Sequence, residues 1–559
     1  MFESVSVNAL HRLAVLRMDQ YTPHQWLPSE RPFVPGSPST PDHSLPIRVA
    51  FAAISILLGI TGGLGSALVT VNLPYLQGFL GADAVEIAWL PAAYVMTYVS
   101  MNLLLVKFRQ QFGLDAFTQV FLLLYVVITI GHLYVNDTAS AIAVRAAHGM
   151  AGAALTSLSL YYMIQALPAR WRLKALVLGF GSSQLATPIA RLISSDLLQI
   201  DQWKGLYRFE IGLALIALAS VLLLKLPPGD RTKTFEPLDF LTFALLASGA
   251  ALLCAILSLG RIDWWLDAPW IGVCSALSIA LIGAGMAVEK NRQRPLLNLE
   301  WLGSGSILRL ALSLVLIKIV LSEQNVGAVG FLQLFGLTND QLGSLFLIVL
   351  VGAVTGLMAS ALTINKESLV LPVLLSLALM AIGAAMDGFA THDTRPEQLY
   401  ISQFLLAFGG AFFLGPTLVT GLGGVLSNPK NLISFAVLFS MTQNIGSLVG
   451  SAFLGTFQTV REKYHSANLV EHLMTTEPLV TSRIQAYANP FAGTYADPAL
   501  RNALGQHEIA VLATREANIL AYNDVFLVIA ALAVLTIVCI GGRALGRWSR
   551  TYTIKPLFS

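Results

Sequence analysis

Apolar residues run along this chain in blocks of about twenty, separated by short polar turns, a pattern that predicts membrane-spanning helices. The first blocks fall near 47 to 70, 86 to 106, 115 to 135, 140 to 167, 172 to 197 and 206 to 226. A second series falls near 238 to 260, 269 to 288, 306 to 335, 341 to 363, 367 to 390, 397 to 425, 430 to 460 and 521 to 544. The total of fourteen is even, so both termini lie on one side of the bilayer. The expected fold class is an all-α polytopic membrane protein with two six-helix bundles plus two central extra helices. The N-terminal bundle covers 47–226, the extra pair 227–295, and the C-terminal bundle 296–545, including an outer loop at 461–520. Residues 1–46 contain Pro23, Pro28, Pro32, Pro35, Pro38, Pro41 and Pro46 and read as a disordered cytoplasmic tail, although NALHRLAVLRM near its start also fits a weak surface helix. Residues 546–559 form a second cytoplasmic tail.

Charge sets the orientation. Alternate connections hold Lys107 and Arg109; Arg170, Arg172 and Lys174; Lys225, Arg231 and Lys233; Lys290, Arg292 and Arg294; then Lys366 and Lys430. With the basic residues of the two ends, that face carries about 21 lysines and arginines against about 4 in the opposite short loops, which makes it the cytoplasmic one. Composition narrows the class further. The 559 residues are 55% hydrophobic and 12% charged, with a net charge of +3 and a mean hydropathy of +0.69. No basic stripe interleaves with aromatics, so nucleic acid is not an expected partner. Cys254, Cys274 and Cys539 lie apart in apolar runs and suggest neither a disulfide framework nor a zinc site. His465 and His472 in the outer loop lack a third ligand at metal spacing. There is no GxxxxGK[ST] loop, HExxH, CxxC or GxSxG, so neither an enzyme nor a cofactor is expected.

Polar residues inside the apolar blocks carry the candidate chemistry. The fourth block, AIAVRAAHGMAGAALTSLSLYY, holds Arg145, with His148, Gly149 and Gly152 beside it. An arginine there costs about 2.5 to 3.5 kcal/mol to insert, so it either snorkels to the surface or faces a polar path. At about 1.5 Å per residue, Arg145, Arg191, Asp196 and Glu210 all fall in the outer third of spans four to six. Either they form an ion-paired ring around an outward vestibule, or they anchor the interface. Tyr94, Tyr98, Tyr161, Tyr162 and Gln184 are candidates to line an amphipathic cavity or to serve as packing. In the ninth block, Lys318 lies near the midplane and Glu323 deeper, with Gln324 and Asn325 beside it. Lys318 and Glu323 face directions about 140° apart, so each needs a partner elsewhere, and Arg145 and Arg191 are candidates for Glu323. The pairs Gly352 and Gly356, and Gly446 and Gly450, read as close helix contacts, and Gly415–Pro416 as a bend.

Two groups of six spans around a central pair, with Arg145, His148, Gly149 and Gly152 in the fourth, resemble a fourteen-helix major facilitator transporter, nearest its proton-driven multidrug exporter (DHA2) type. LGSALVTVNLP (Leu64 to Pro74), Trp203 to Glu210, and FQTVREKYHSANL (Phe457 to Leu469) are similar to stretches of that branch. The departures bear on coupling. Gly65 stands where the family has a membrane-embedded aspartate, Gln110 replaces an acidic residue after helix two, Ala190 and Arg191 replace the Gly-Pro of helix five, Ser194 and Ser195 replace its paired glycines, and Gln443 falls where an arginine is expected.

The resemblance implies a secondary transporter working by alternating access in a bacterial inner membrane, exporting drugs or other amphipathic small molecules. Proton coupling would involve Glu323, Arg145, Arg191, Asp196 and Glu210. Lys318, Gln324, Asn325, Tyr94, Tyr98, Tyr161, Gln184 and Gln443 are its substrate-cavity candidates. Glu323 is the expected replacement for the carboxylate missing at position 65. The alternatives are a uniporter or importer of a small metabolite, and a non-transporting membrane subunit that binds a partner through its outer loop. The partners implied are a small-molecule substrate, the lipid bilayer and, by the resemblance, a periplasmic adaptor protein.

Overall fold

The computed structural model describes residues 27, 30–32, 36–292, 295–364, 369–427, 431–474 and 476–554. Most of the proline-rich N-terminal stretch, its NALHRLAVLRM segment, Arg294, Lys366, Lys430 and Lys555 lie outside them. Thirteen described helices are long and apolar enough to cross a membrane. They are α1 (Leu45–Thr70), α2 (Ala84–Phe112), α3 (Leu114–Tyr134), α5 (Ala169–Ile200), α6 (Trp203–Leu223), α7 (Pro237–Leu259), α8 (Pro269–Lys290), α9 (Gly305–Gln333), α10 (Gly343–Thr363), α11 (Val370–Asp387), α12 (Pro396–Gly423), α13 (Ile433–Glu471) and α14 (Pro498–Arg543). Between α3 and α5 lies α4 (Thr138–Ala166), 29 residues long, whose apolar character is diluted by Arg145, His148 and a run of small residues. It packs against α1, α2 and α3, so it crosses with them as the fourteenth span. No strand occurs among the described residues. The chain is an all-α polytopic membrane protein.

Odd-numbered spans run from the face bearing the chain's ends, the terminal face, to the opposite face, where residues 461–520 project as a cap. Two even spans begin at that cap face with reciprocal capping: Glu86 N–H donates to Asp83 at the start of α2, and Ser140 N–H donates to Asp137 at the start of α4, both at 2.7 Å. The caps satisfy donors that a helix start leaves open. The outer loop is largely helical. α13 continues without a break to Glu471, a short helix spans Pro478–Ala488, and the last helix starts at Pro498 and runs to Ile554. His465 is not left to solvent, since its Nε2 lies 2.7 Å from Asp524, which also accepts from Arg461 at 2.6 Å.

Spans α9 to α13 pack mainly among themselves and with α14. The two halves meet where α5 lies on α10 and α12, and where α2 lies on α13. The α7–α8 pair is fastened to α2 by buried charge. Lys107 donates to both carboxylate oxygens of Asp239 at 2.7 Å, and Arg292 reaches Asp239 at 2.7 Å, Glu289 at 2.6 Å and Glu236 at 2.9 Å. Removing one partner of such a network costs about 3–5 kcal/mol because a bare charge remains buried. Where it is described near α1, the N-terminal stretch packs against α4. Ser37 and Ser39 are buried, Gln165 donates to the Ser39 carbonyl at 2.8 Å, and His43 lies 2.9 Å from Gln165.

Small residues let backbones approach. Pro416 lacks an N–H, which leaves the Phe412 carbonyl without its helical donor; Ser360 of α10 donates to it at 2.9 Å and accepts from Gly415 N–H at 3.0 Å. A Cβ at Gly352 would lie 2.9 Å from the Phe404 carbonyl oxygen, and one at Gly356 would collide with that of Phe408. Both obstacles are backbone and cannot swing away. Gly356→Ala is accordingly expected to cost about 1–3 kcal/mol and to lower the thermal unfolding midpoint of the purified protein, whereas Gly78→Ala, which meets nothing within 4 Å, should leave it unchanged.

A buried polar cluster as candidate functional site

Tyr125, Thr129 and His132 recur at helical spacing along one face of α3, so they point together into the N-terminal half. Tyr207 and Glu210 do the same from α6, and Arg145 and His148 from α4. All seven side chains are buried, five of them with no exposed surface. Glu210 is the centre. Its Oε1 accepts from the Tyr125 hydroxyl at 2.5 Å and lies 3.2 Å from His148 Nε2. Arg145 Nη1 donates to the Gly65 carbonyl at 2.6 Å and stands 3.3 Å from His148 Nδ1. A guanidinium only donates, so Nδ1 accepts and the imidazole proton sits on Nε2, directed at Glu210. The Tyr94 ring lies 4.5 Å beneath the Arg145 guanidinium, and the His132 ring stacks on Tyr207 at 3.9 Å. Arg145 thus does not snorkel; it is held inside the half.

Gly65 explains why these groups fit. A Cβ there would lie 2.8 Å from the Tyr125 hydroxyl, 3.2 Å from Glu210 Oε1 and 3.3 Å from His148 Cε1. The space over residue 65 of α1 is thus filled by the carboxylate of α6. Polar atoms with spare bonding capacity gather in the same cluster: Glu210 Oε2, Arg145 Nε and Nη2, His132 Nε2, Tyr207 OH and Thr61 Oγ1 are buried and have no hydrogen-bond partner among the described residues.

The proposed ring of four charges does not form. Asp196 is exposed, Arg145 and Glu210 belong to the cluster, and Arg191 faces the other half. There, Arg191 donates to Asn325 at 3.1 Å and to Asn339 at 3.2 Å, its guanidinium over the Phe346 ring. Asn339 in turn donates to the Val71 carbonyl at 3.2 Å, so this contact ties the halves near the cap face. Glu323 has neither arginine as partner. It opens a π-helical stretch, Glu323–Val329, and accepts from Gln403 Nε2 at 3.1 and 3.2 Å, while the same nitrogen donates to Asp387 at 2.9 Å. Two carboxylates on separate helices therefore share one neutral donor. The space over Gly65 is filled by Glu210, and Glu323 lies in the C-terminal half, so a proton-exchanging role for Glu323 would be played away from that place.

Among the cavity candidates, Tyr98 stacks on Tyr94 and its hydroxyl lies 2.9 Å from Thr156. Tyr161 is removed from the path: it packs at the terminal end of α4, with Arg109 4.9 Å over its ring. Tyr162 similarly donates to the Leu224 carbonyl at 2.8 Å. Gln324 donates to the Gln403 carbonyl at 3.4 Å, and Asn325 is engaged by Arg191. Lys318, Gln184 and Gln443 are half-buried within their spans. Sequence reasoning missed Tyr125, Thr129, His132, Tyr207, Asp387 and Gln403. The helical spacing of the first three in an otherwise apolar block was the available signal.

The sequence matches the family model described as Major Facilitator Superfamily over residues 55–451. Among solved structures, the human organic anion transporter MFSD10 (TETRAN) is similar with a TM-score of 0.52 at 14% identity, covering 87% of this chain and 99% of that one. The proton:xylose symporter XylE of E. coli, bound to 6-bromo-6-deoxy-D-glucose, has a TM-score of 0.52 at 14% identity and covers 88% of this chain and 95% of its own. At that identity the likeness is one of fold alone. No curated protein matches the chain.

Proposed function

Because the chain belongs to the major facilitator superfamily, whose members are transport proteins, it is a secondary transporter rather than an enzyme, and we propose that it carries a small organic metabolite together with a proton. The observation that supports coupling is the double acceptor of Tyr125. Its hydroxyl lies 2.5 Å from Glu210 Oε1 and 3.1 Å from the Thr61 carbonyl. When Glu210 is ionised, Tyr125 donates to it. When Glu210 carries a proton, that proton is donated to the Tyr125 oxygen and the hydroxyl turns to Thr61. The bond between Tyr125 and Glu210 Oε1 is kept in both states with its direction reversed, so proton uptake and release there break no hydrogen bond. Arg145 balances the ionised state.

Glu323 and Asp387 form a second proton site in this reading, since one retained proton between two carboxylates removes their repulsion. The terminal face is cytoplasmic, as its basic connections argue. Small solutes of this kind suit a fold also used by an organic anion transporter and a proton:xylose symporter. The likeness does not single out the multidrug exporter branch, and metabolite transport takes its place. Proteoliposomes loaded with a pH-sensitive dye test the reading. A panel of organic metabolites is expected to include at least one that evokes proton movement, while solute equilibration with no proton movement would sink the coupling.

A further inference from the structure

Three half-buried polar side chains in the spans make no hydrogen bond or ion pair among the described residues: Lys318 in α9, Gln184 in α5 and Gln443 in α13. Their positions converge. α5 and α9 both run from the terminal face to the cap face, and they touch where Arg191 meets Asn325 at 3.1 Å. Gln184 and Lys318 each lie seven residues before that contact. Each is therefore about two turns and about 10 Å nearer the terminal face; Gln184 lies one turn past Phe180, whose ring is 5.2 Å from that of Phe439, one turn before Gln443 on α13. Gln443 lies one turn before Gly446, where an added Cβ would sit 3.1 Å from Lys318 Cβ and 3.4 Å from its Cγ. Both halves thus present uncommitted polar groups to one region beneath the Arg191 contact.

A lysine at this depth is costly unless water or an anion meets it. Lys107, Arg145 and Arg191, also within the spans, each already hold a partner, Arg145 through Nη1. We infer that the transported metabolite is a small organic anion, its carboxylate held by Lys318 and its remaining polar atoms met by the amides of Gln184 and Gln443. An ammonium supplies a compact charge that a carboxylate reaches from several directions, and an amide both donates and accepts. This identification rests on the transport reading above and adds the substrate class to it.

The test is ligand-induced thermal stabilisation of the purified full-length protein. The probes are benzoate, lactate and succinate, each compared with its uncharged amide, benzamide, lactamide or succinamide. At least one carboxylate is expected to stabilise the protein, with an apparent affinity about tenfold or more above that of its amide. Lys318→Met should abolish that preference and Lys318→Arg should retain it. If Lys318→Met does not fold, Lys318→Gln and the acid-against-amide comparison in the unaltered protein carry the test. Stabilisation by no carboxylate, equal stabilisation by acid and amide, or an unchanged preference in Lys318→Met would each overturn the assignment. The two readings separate in proteoliposomes. Proton movement evoked by a neutral solute keeps the coupling and rejects the anion, whereas carboxylate binding without proton movement does the reverse.

Discussion

Glu210→Gln is expected to lower proton-driven accumulation of the solute by about 100-fold, to background, while solute-for-solute exchange stays within about threefold of the unaltered protein. The substitution keeps volume and an acceptor oxygen for Tyr125, so the packing around α1 and α6 should survive. What it removes is the group that changes charge. A glutamine cannot pass a proton to the Tyr125 hydroxyl and regain it, and Arg145 is then left without its counter-charge. The separation of the two assays matters, because a merely structural role would depress exchange as much as accumulation. His148→Asn is expected to follow the same pattern less severely, since His148 only orients the carboxylate at 3.2 Å. Wild-type accumulation in Glu210→Gln would remove the N-terminal cluster from the coupling and leave Glu323 and Asp387 as its seat.

Moving the carboxylate from α6 to α1 should be possible. Gly65→Asp alone is expected to destabilise the protein by about 2–4 kcal/mol and to stop transport, because its Cβ meets the Tyr125 hydroxyl and Glu210, and a second carboxylate enters a site with one arginine. Combined with Glu210→Ala, it regains both room and charge balance. The double variant should therefore recover at least about half of the lost stability and a measurable part of proton-driven accumulation, an interaction far from additive. Thermal unfolding gives the stability arm and dye-loaded proteoliposomes the transport arm. A double variant no better than Gly65→Asp in either assay would show that the two positions do not share one carboxylate site.

The lesson of the ninth span is where legibility ended. Its sequence showed that Lys318 and Glu323 lie deep and cannot pair with each other, since both facts follow from rise and rotation along one helix. It did not show that Glu323 sits beside Gln403 and Asp387, which arrive from α12 and α11, some 80 and 64 positions later in the chain. Arg145 was legible as a costly residue, yet its partners were not: Gly65 presents only a backbone carbonyl, and a carbonyl carries no side-chain signal. His132 stands at the end of an apolar block, where a single histidine reads as an interface residue. Only its stacking on Tyr207 and its place beside His148 mark it as part of the cluster.

The sequence by itself determined the spans, their even number and the asymmetry of basic residues between the two faces. These are local properties, because a run of about twenty apolar residues spans a bilayer whatever its neighbours do. That a carboxylate is missing at Gly65 was legible only through the family resemblance, since a glycine by itself carries no such signal. Tertiary structure decided which carboxylate fills that place. Depth along a span can be counted from residue spacing, but a span's neighbours depend on how fourteen helices pack, and small residues such as Gly65, Gly352 and Gly356 set those approaches. Glu210 therefore joined the N-terminal cluster, Arg191 crossed to the opposite half, and Glu323 met Gln403, the amide that also serves Asp387, each because the side chain that reaches a buried charge comes from whichever helix packing brings within about 3 Å.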